Sequence, residues 1–271
     1  MAKDRLNAVI AQRSEIAPGL LVLRVVPVGW ELPQFRPGQF AVLGLPGSAP
    51  RVPEADPDEV PPDPDKLISR AYSIASSSVS REFLEFYVTL VHSGALTPRL
   101  FCLGIGDRLF LGPKITGRFT LDVVPPQVDV VLLGTGTGIA PYMSMVRTLL
   151  GREPHRRMVV VHGARHSWDL GYGAELISLA RLSKDLVYLP AVTRPEEEPA
   201  PWSGLTGRLQ QLWTGGVVAR ALGRRPAPQD THVLLCGNPA MIAQMEAILQ
   251  REGFTEHTPR SPGQYHLERY W

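Results

Sequence analysis

Gly134-Thr135-Gly136-Thr137-Gly138 joins two segments of opposite texture. Before it runs Val128–Leu133, a continuous apolar stretch that reads as a buried strand. After it, from about Ile139 to Leu150, the apolar spacing is helical. Glycines let the backbone turn tightly and approach a phosphate, and the helix start offers unpaired N–H groups. The pattern is neither a full G-x-G-x-x-G nor a P-loop, since no lysine follows. By composition it suits dinucleotide binding or a tight structural turn, and its place between strand and helix favours the first.

The rhythm that begins there continues to the C-terminus. Strands are expected at Met158–His162, Leu186–Ala191 and His232–Cys236. Helices are expected near Tyr172–Leu182 and Leu205–Ala219, and from Pro239 to Arg251, where proline suits the first helical position. Such alternation builds a parallel sheet covered on both faces. The first half reads instead as short strands at Ala8–Ile10, Leu20–Val26, Phe40–Gly44, Ile68–Ile74, Phe83–Val91, Arg108–Gly112 and Phe119–Val123. Only one short helix, near Pro98–Leu103, interrupts them, which points to a small antiparallel barrel. Pro125-Pro126 is the natural break, so the expected fold is two-domain. An antiparallel β-barrel with one short helix spans 1–125, and an α/β parallel-sheet nucleotide-binding domain spans 126–271.

Pro46–Lys66 stands apart, with seven prolines and six acidic residues against Arg51 and Lys66. It should form an exposed loop, either a tolerated insertion or a lid or partner contact. Its net charge of −4 leaves +6 on the remainder of a chain whose total is +2. That balance gives no argument for nucleic acid. Two cysteines, Cys102 and Cys236, cannot furnish an iron–sulfur cluster or a Cys-rich zinc site, and no HExxH occurs. His162 and His166 form the one i,i+4 histidine pair, and no metal site is expected there. No apolar run is long enough to span a membrane, and no secretory-type stretch follows Lys3, Asp4 and Arg5. The expectation is a cytoplasmic protein, away from membranes.

The strand after the glycine loop closes on His162-Gly163-Ala164-Arg165. An acidic residue there would accept the ribose hydroxyls of NAD, whereas arginine favours a ribose carrying a 2′-phosphate. Arg194 and Arg208 are candidates to close the same pocket. Each could equally be solvated surface.

Five blocks, taken in order, carry a family resemblance. They are Arg70-Ala71-Tyr72-Ser73, Gly94-Ala95-Leu96-Thr97, Gly134–Gly138, Cys236-Gly237-Asn238-Pro239 and Glu268-Arg269-Tyr270-Trp271. Across essentially the whole chain they resemble the bacterial ferredoxin/flavodoxin–NADP⁺ reductases. The resemblance implies an N-terminal barrel holding non-covalent FAD and a C-terminal domain taking NADP(H). Arg70 would neutralise the FAD pyrophosphate, Tyr72 would pack along the flavin and ribityl chain, and Ser73 would lie near flavin N5. Thr97, as N-cap before Pro98, would open a helix whose free N–H groups meet the FAD phosphates. Ala71, Tyr87, Val88, Thr89, Gly94, Ala95, Leu96, Thr116, Thr137, Tyr270 and Trp271 complete the implied FAD set. Gly134, Thr135, Gly136, Thr137, Gly138, Arg165, Arg194, Arg208, Cys236 and Gly237 make the implied NADP set. Ser73, Cys236 and Glu268 would stand nearest the chemistry, although Cys236 could simply be a small buried residue.

The insertion before Arg70 and the terminal Trp271 depart from the family pattern. The implied activity is hydride transfer between NADPH and FAD, with single electrons passed to or from ferredoxin or flavodoxin by a monomer. Arg147, Arg152, Arg156 and Arg157 form a candidate carrier patch, or else a solvated helix end. A flavin or quinone reductase, the reductase component of an oxygenase, and a non-enzymatic nucleotide sensor remain the alternatives.

Overall fold

The computed structural model describes residues 2–152 and 156–269. Two compact units divide between Thr120 and Leu121, ahead of Pro125-Pro126.

In the first unit six strands form one antiparallel sheet. They are β1 (Ala8–Ala17), β2 (Leu20–Pro27), β3 (Phe40–Pro46), β4 (Leu67–Ser73), β5 (Leu84–Thr89) and β6 (Arg108–Leu111), in the order β4-β3-β6-β1-β2-β5. The two outer strands meet through an antiparallel Ile74–Phe86 bridge and the Ala75 N–H to Glu85 carbonyl hydrogen bond of 2.8 Å, which closes the barrel. Alternation sends Leu21, Leu23 and Val25 inward, fully buried against Ile10, Leu43 and Leu109. The short helix is α1 (Thr97–Leu100). Phe119–Val123 is not a strand. Thr116 instead bridges Phe40, and the chain then turns away.

The second unit is a six-stranded parallel sheet. Its strands are β7 (Asp129–Thr135), β8 (Met158–Ala164), β9 (Leu186–Val192), β10 (Leu205–Thr206), β11 (Thr231–Cys236) and β12 (Tyr265–Glu268), in the order β10-β9-β8-β7-β11-β12. Around it run α2 (Ala140–Leu149), α3 (Gly173–Leu182), α4 (Leu209–Thr214), α5 (Val217–Leu222) and α6 (Pro239–Arg251). Both sheet faces are buried. Val131, Leu133 and Val233 share a core with α4, α5 and α6, and Val130, Leu132 and Leu234 between them are equally inaccessible.

The sequence predicts one helix over Leu205–Ala219. The structure has a two-residue strand and two short helices, because Gly215-Gly216 stops the first and Gly216 takes a left-handed φ of 73°. β12 has no counterpart among the expected elements. It completes the sheet beside β11.

Candidate functional site

The parallel sheet reverses its order between β7 and β11. From β7 the sheet extends through β8, β9 and β10 on one side and through β11 and β12 on the other. Open α/β sheets bind ligands at the carboxyl ends of strands at such a switch point. Register places Glu268, Cys236, Gly134 and His162 in one row across β12, β11, β7 and β8, at that carboxyl edge.

The two loops leaving β7 and β11 pack backbone on backbone. A Cβ on Gly138 would lie 2.5 Å from the Cys236 carbonyl oxygen, and one on Gly237 would lie 2.3 Å from Thr135 Oγ1. Gly237 also holds a φ of 125°, which disfavours side chains. The Asn238 N–H donates to Thr135 Oγ1 at 2.8 Å, and the Asn238 side chain caps α6 by accepting from Ala240 and Met241. Beneath this junction the buried Tyr142 hydroxyl lies 3.0 Å from the Leu133 carbonyl and 2.8 Å from that of Leu234. Burial pushes its phenol well above the ordinary range. Tyr142 thus pins the two strands where they part. Nothing in its helical spacing sets it apart from a core aromatic.

The loop itself differs slightly from expectation. Gly134 and Thr135 finish β7, and Gly136–Ile139 forms a 3-10 turn leading into α2. Gly136 is left-handed with open space around it, and Thr137 is half-buried on the same turn.

Arg165 follows β8 and is exposed, and its guanidinium has no partner among the described residues. Arg194 is its neighbour, since the Arg194 N–H donates to the Arg165 carbonyl at 3.0 Å. Its guanidinium, however, is already engaged by Glu197 at 3.2 Å. Glu197 also binds His166 Nε2 at 2.7 Å, and with Asp169 holds that imidazole above its usual range. Arg208 is exposed immediately before α4. His162 lies buried in β8, 3.2 Å from the Tyr188 hydroxyl, and burial lowers it to about 4.

In the barrel unit the expected residues collect at the seam. Arg70, Ala71, Tyr72 and Ser73 end β4, while Tyr87, Val88 and Thr89 end β5 across the Ile74–Phe86 bridge. Arg70 and Ala71 are exposed, Tyr72 is half-buried, and Ser73 and Tyr87 are buried. Burial pushes the Tyr72 phenol up, against the opposing charge of Arg70. Phe40 pairs with both Ser73 and Thr116, which brings Thr116 to the same end of the barrel.

The turn from His92 to Thr97 holds the remaining residues. Thr97 is not an N-cap. It is the first residue of α1, and its hydroxyl accepts from the Val91 N–H at 3.0 Å. Gly94 is close-packed, since a Cβ there would lie 3.0 Å from Thr97 Oγ1. The N–H groups of Ala95 and Leu96 make no hydrogen bond among the described residues. Unpaired amides in succession are anion-seeking.

Three expectations are corrected or fall outside the structure. The arginine patch does not exist as such: Arg156 is buried and donates to Val124 and Pro125 carbonyls, and Arg147 is clamped by Glu175 at 2.6 Å. Arg157 spends one nitrogen on the Leu222 carbonyl. The 46–66 segment, though largely exposed, is not loose. Arg51 and Asp58 tie it to the His92–Thr97 turn and to Arg99, contacts that its proline-rich composition conceals. Tyr270 and Trp271 lie outside the described residues.

A family model for the oxidoreductase NAD-binding domain matches residues 132–247. The chain is 32% identical over 207 residues to a flavodoxin/ferredoxin–NADP reductase of Buchnera aphidicola, covering 76% of this chain and 82% of that one. It is 33% identical over 247 residues to the ferredoxin–NADP reductase of Pseudomonas aeruginosa, covering 87% and 86%. Its fold matches a ferredoxin NADP⁺ reductase from Neisseria gonorrhoeae solved with bound FAD and NADP, at a TM-score of 0.82 and 25% identity over 98% of each chain.

Proposed function

The chain belongs to the ferredoxin/flavodoxin–NADP⁺ reductase family, and from that premise we propose how its residues divide the work. It is an oxidoreductase that holds FAD, takes NADP(H) as substrate, and moves electrons between NADPH and ferredoxin or flavodoxin. The observation that carries the residue assignment is the glycine loop at the carboxyl edge of β7, where Gly138 against Cys236 and Gly237 against Thr135 leave no room for side chains while Gly136 has open space around it.

The residues present fit both groups. In the α/β unit the Gly134–Gly138 loop and the start of α2 would receive the NADP pyrophosphate, and Arg165 the 2′-phosphate, in a fork that carboxylates or lysine would not provide. Arg208, exposed just before α4, would be a second cation for that phosphate, and Arg194 would join them only by exchanging Glu197 for the phosphate. Cys236 and Gly237 line the row where the nicotinamide would stack, and Glu268 stands one strand away. In the barrel unit Arg70 would meet one side of the FAD pyrophosphate and the amides of Ala95 and Leu96 the other. Tyr72, Tyr87, Val88 and Thr89 would flank the flavin along the seam, with Ser73 and Thr116 at its end.

When bound, FAD supplies the redox chemistry, accepting an electron pair as hydride and returning electrons singly. Each unit would orient its own ring, the barrel residues the flavin and the α/β residues the nicotinamide. Ser73, short and buried, offers a hydroxyl beside the reacting edge without crowding it. Cys236 acts by shape and not as a nucleophile, since hydride transfer needs no covalent step. Tyr270 and Trp271 remain assigned to the FAD by family position alone.

No described helix is long and apolar enough to cross a membrane. We place the enzyme in the cytoplasm, as a monomer, which sedimentation of the purified protein tests. The decisive experiment is a visible spectrum before and after stoichiometric NADPH, followed by turnover with ferredoxin, flavodoxin and free FMN. A flavin spectrum that bleaches, with carriers preferred over FMN, is expected. A colourless protein, or FMN as the preferred acceptor, would overturn the assignment.

A further inference from the structure

Residues 46–66 contribute a clamp to the barrel. Arg51, mostly buried, donates from Nη1 to Asp58 Oδ1 at 2.6 Å and to the Gly94 carbonyl at 3.0 Å, and from Nη2 to the His92 carbonyl at 3.1 Å. Asp58 in turn receives Arg99 Nη2 on Oδ2 at 2.6 Å. Arg99, 3% exposed, donates its Nη1 to the Ala95 carbonyl at 2.6 Å and its Nη2 to that of Gly47 at 3.1 Å. His92 Nδ1 and the Glu54 carbonyl add a further tie at 2.9 Å. One carboxylate thus joins two guanidinium groups, and between them those groups hold the carbonyls of His92, Gly94 and Ala95 in a single turn. The pairing is tight enough to hold the Asp58 carboxyl below its ordinary range, chiefly through its hydrogen bond to Arg99.

In a trans peptide the N–H points opposite the C=O. Drawing the Gly94 and Ala95 carbonyls toward Arg51 and Arg99 therefore turns the N–H groups of Ala95 and Leu96 away from the clamp. Neither amide has a hydrogen-bond partner among the described residues.

We propose that Arg51, Asp58 and Arg99 are positioning residues for cofactor retention: the 46–66 segment fixes the peptide orientation of the Gly94–Leu96 turn so that its amides stay aimed at the FAD pyrophosphate. This rests on the assignment of that turn to the FAD phosphates made above. The segment is therefore part of the flavin site's support and not a lid or a carrier contact. A clamp of this kind acts before binding, by removing alternative peptide orientations that an unsupported glycine turn would sample.

The test compares Asp58→Asn and Arg51→Gln with the wild type, each prepared as apoprotein and titrated with FAD and with riboflavin, which carries no phosphate. Arg51→Gln leaves the Arg99–Asp58 pair intact, so it reports even if Asp58→Asn disturbs folding; thermal unfolding of both apoproteins is read alongside. FAD affinity should fall about tenfold in each variant, the size expected for coupling within one hydrogen-bonded network, with riboflavin affinity unchanged. Parallel loss of both ligands, or no loss of either, overturns the clamp. A wild-type apoprotein that binds FAD no more tightly than riboflavin overturns the assignment of the turn itself, a separate failure.

Discussion

Arg165 and Arg194 leave neighbouring strands side by side, and Glu197 engages the Arg194 guanidinium whereas that of Arg165 has no partner among the described residues. Arg165→Ala should raise KM for NADPH about ten- to a hundredfold, the equivalent of one charge-assisted contact worth ~1.5–3 kcal/mol. KM for NADH should hardly move. Steady-state kinetics with both coenzymes check this, and equal loss with each would remove the 2′-phosphate role. At Gly138 the constraint is steric. Because an added Cβ would lie 2.5 Å from the Cys236 carbonyl, Gly138→Ala must push two loops apart. Overpacking of this sort costs about 1–3 kcal/mol. The expected result is a lower melting temperature and a raised KM for NADPH, while the FAD dissociation constant stays as in the wild type.

Among the elements, the 46–66 segment shows how composition can mislead. Its prolines and carboxylates leave Val60 and most of its backbone in water, but Asp58 neutralises the buried Arg99. Replacing residues 48–64 with a short turn would strand that arginine, and breaking a buried pair from one side costs about 3–5 kcal/mol. Chemical denaturation should show a loss of that order. Adding Arg99→Met to the deletion should recover most of it, because the charge left without a partner is then gone. Full stability in the simple deletion would show that Arg99 finds another partner.

At the scale of the whole molecule, buried histidines make stability depend on pH. His232 Nδ1 lies 3.0 Å from His266 Nε2, and His257 stacks on His266 with ring centroids 4.7 Å apart. Burial lowers His232 to about 4 and His266 to about 3, with His257 adding to both and Arg156 to the first. The unfolded chain binds protons on these rings below about 6.5, while the folded chain does not until about 4 or lower. Stability is therefore whole above pH 6.5 and declines as pH falls through the window from about 6.5 to about 4. Melting temperatures measured between pH 7.5 and 5 should drop, and His266→Gln should flatten the dependence. A profile unchanged by that substitution would place the acid sensitivity elsewhere, with His162 the next candidate.

Much of the architecture was legible because it rests on local pattern. Apolar alternation marks the barrel strands, continuous apolar runs mark the strands buried on both faces, and α6 starts and stops where Pro239 and Arg251 place it. The glycine loop and Arg165 could be put forward together as a phosphate site from the sequence, since the loop follows β7 and Arg165 follows β8, the next strand of the same strand–helix–strand unit. Local pattern failed where partners are distant in sequence. β12 is too short to announce itself and exists because β11 offers it an edge. Tyr142 has meaning only where β7 and β11 part. The arginines after α2 look like one surface patch, but tertiary packing buries Arg156 and hands Arg147 to Glu175. Arg51, Asp58 and Arg99 are separated by up to 48 positions and form a network only once the barrel brings their segments together. Local sequence determines the backbone's periodicity, turns and phosphate-ready glycines. Which charges are buried, paired or left free is a property of three-dimensional proximity, and only the folded structure decides it.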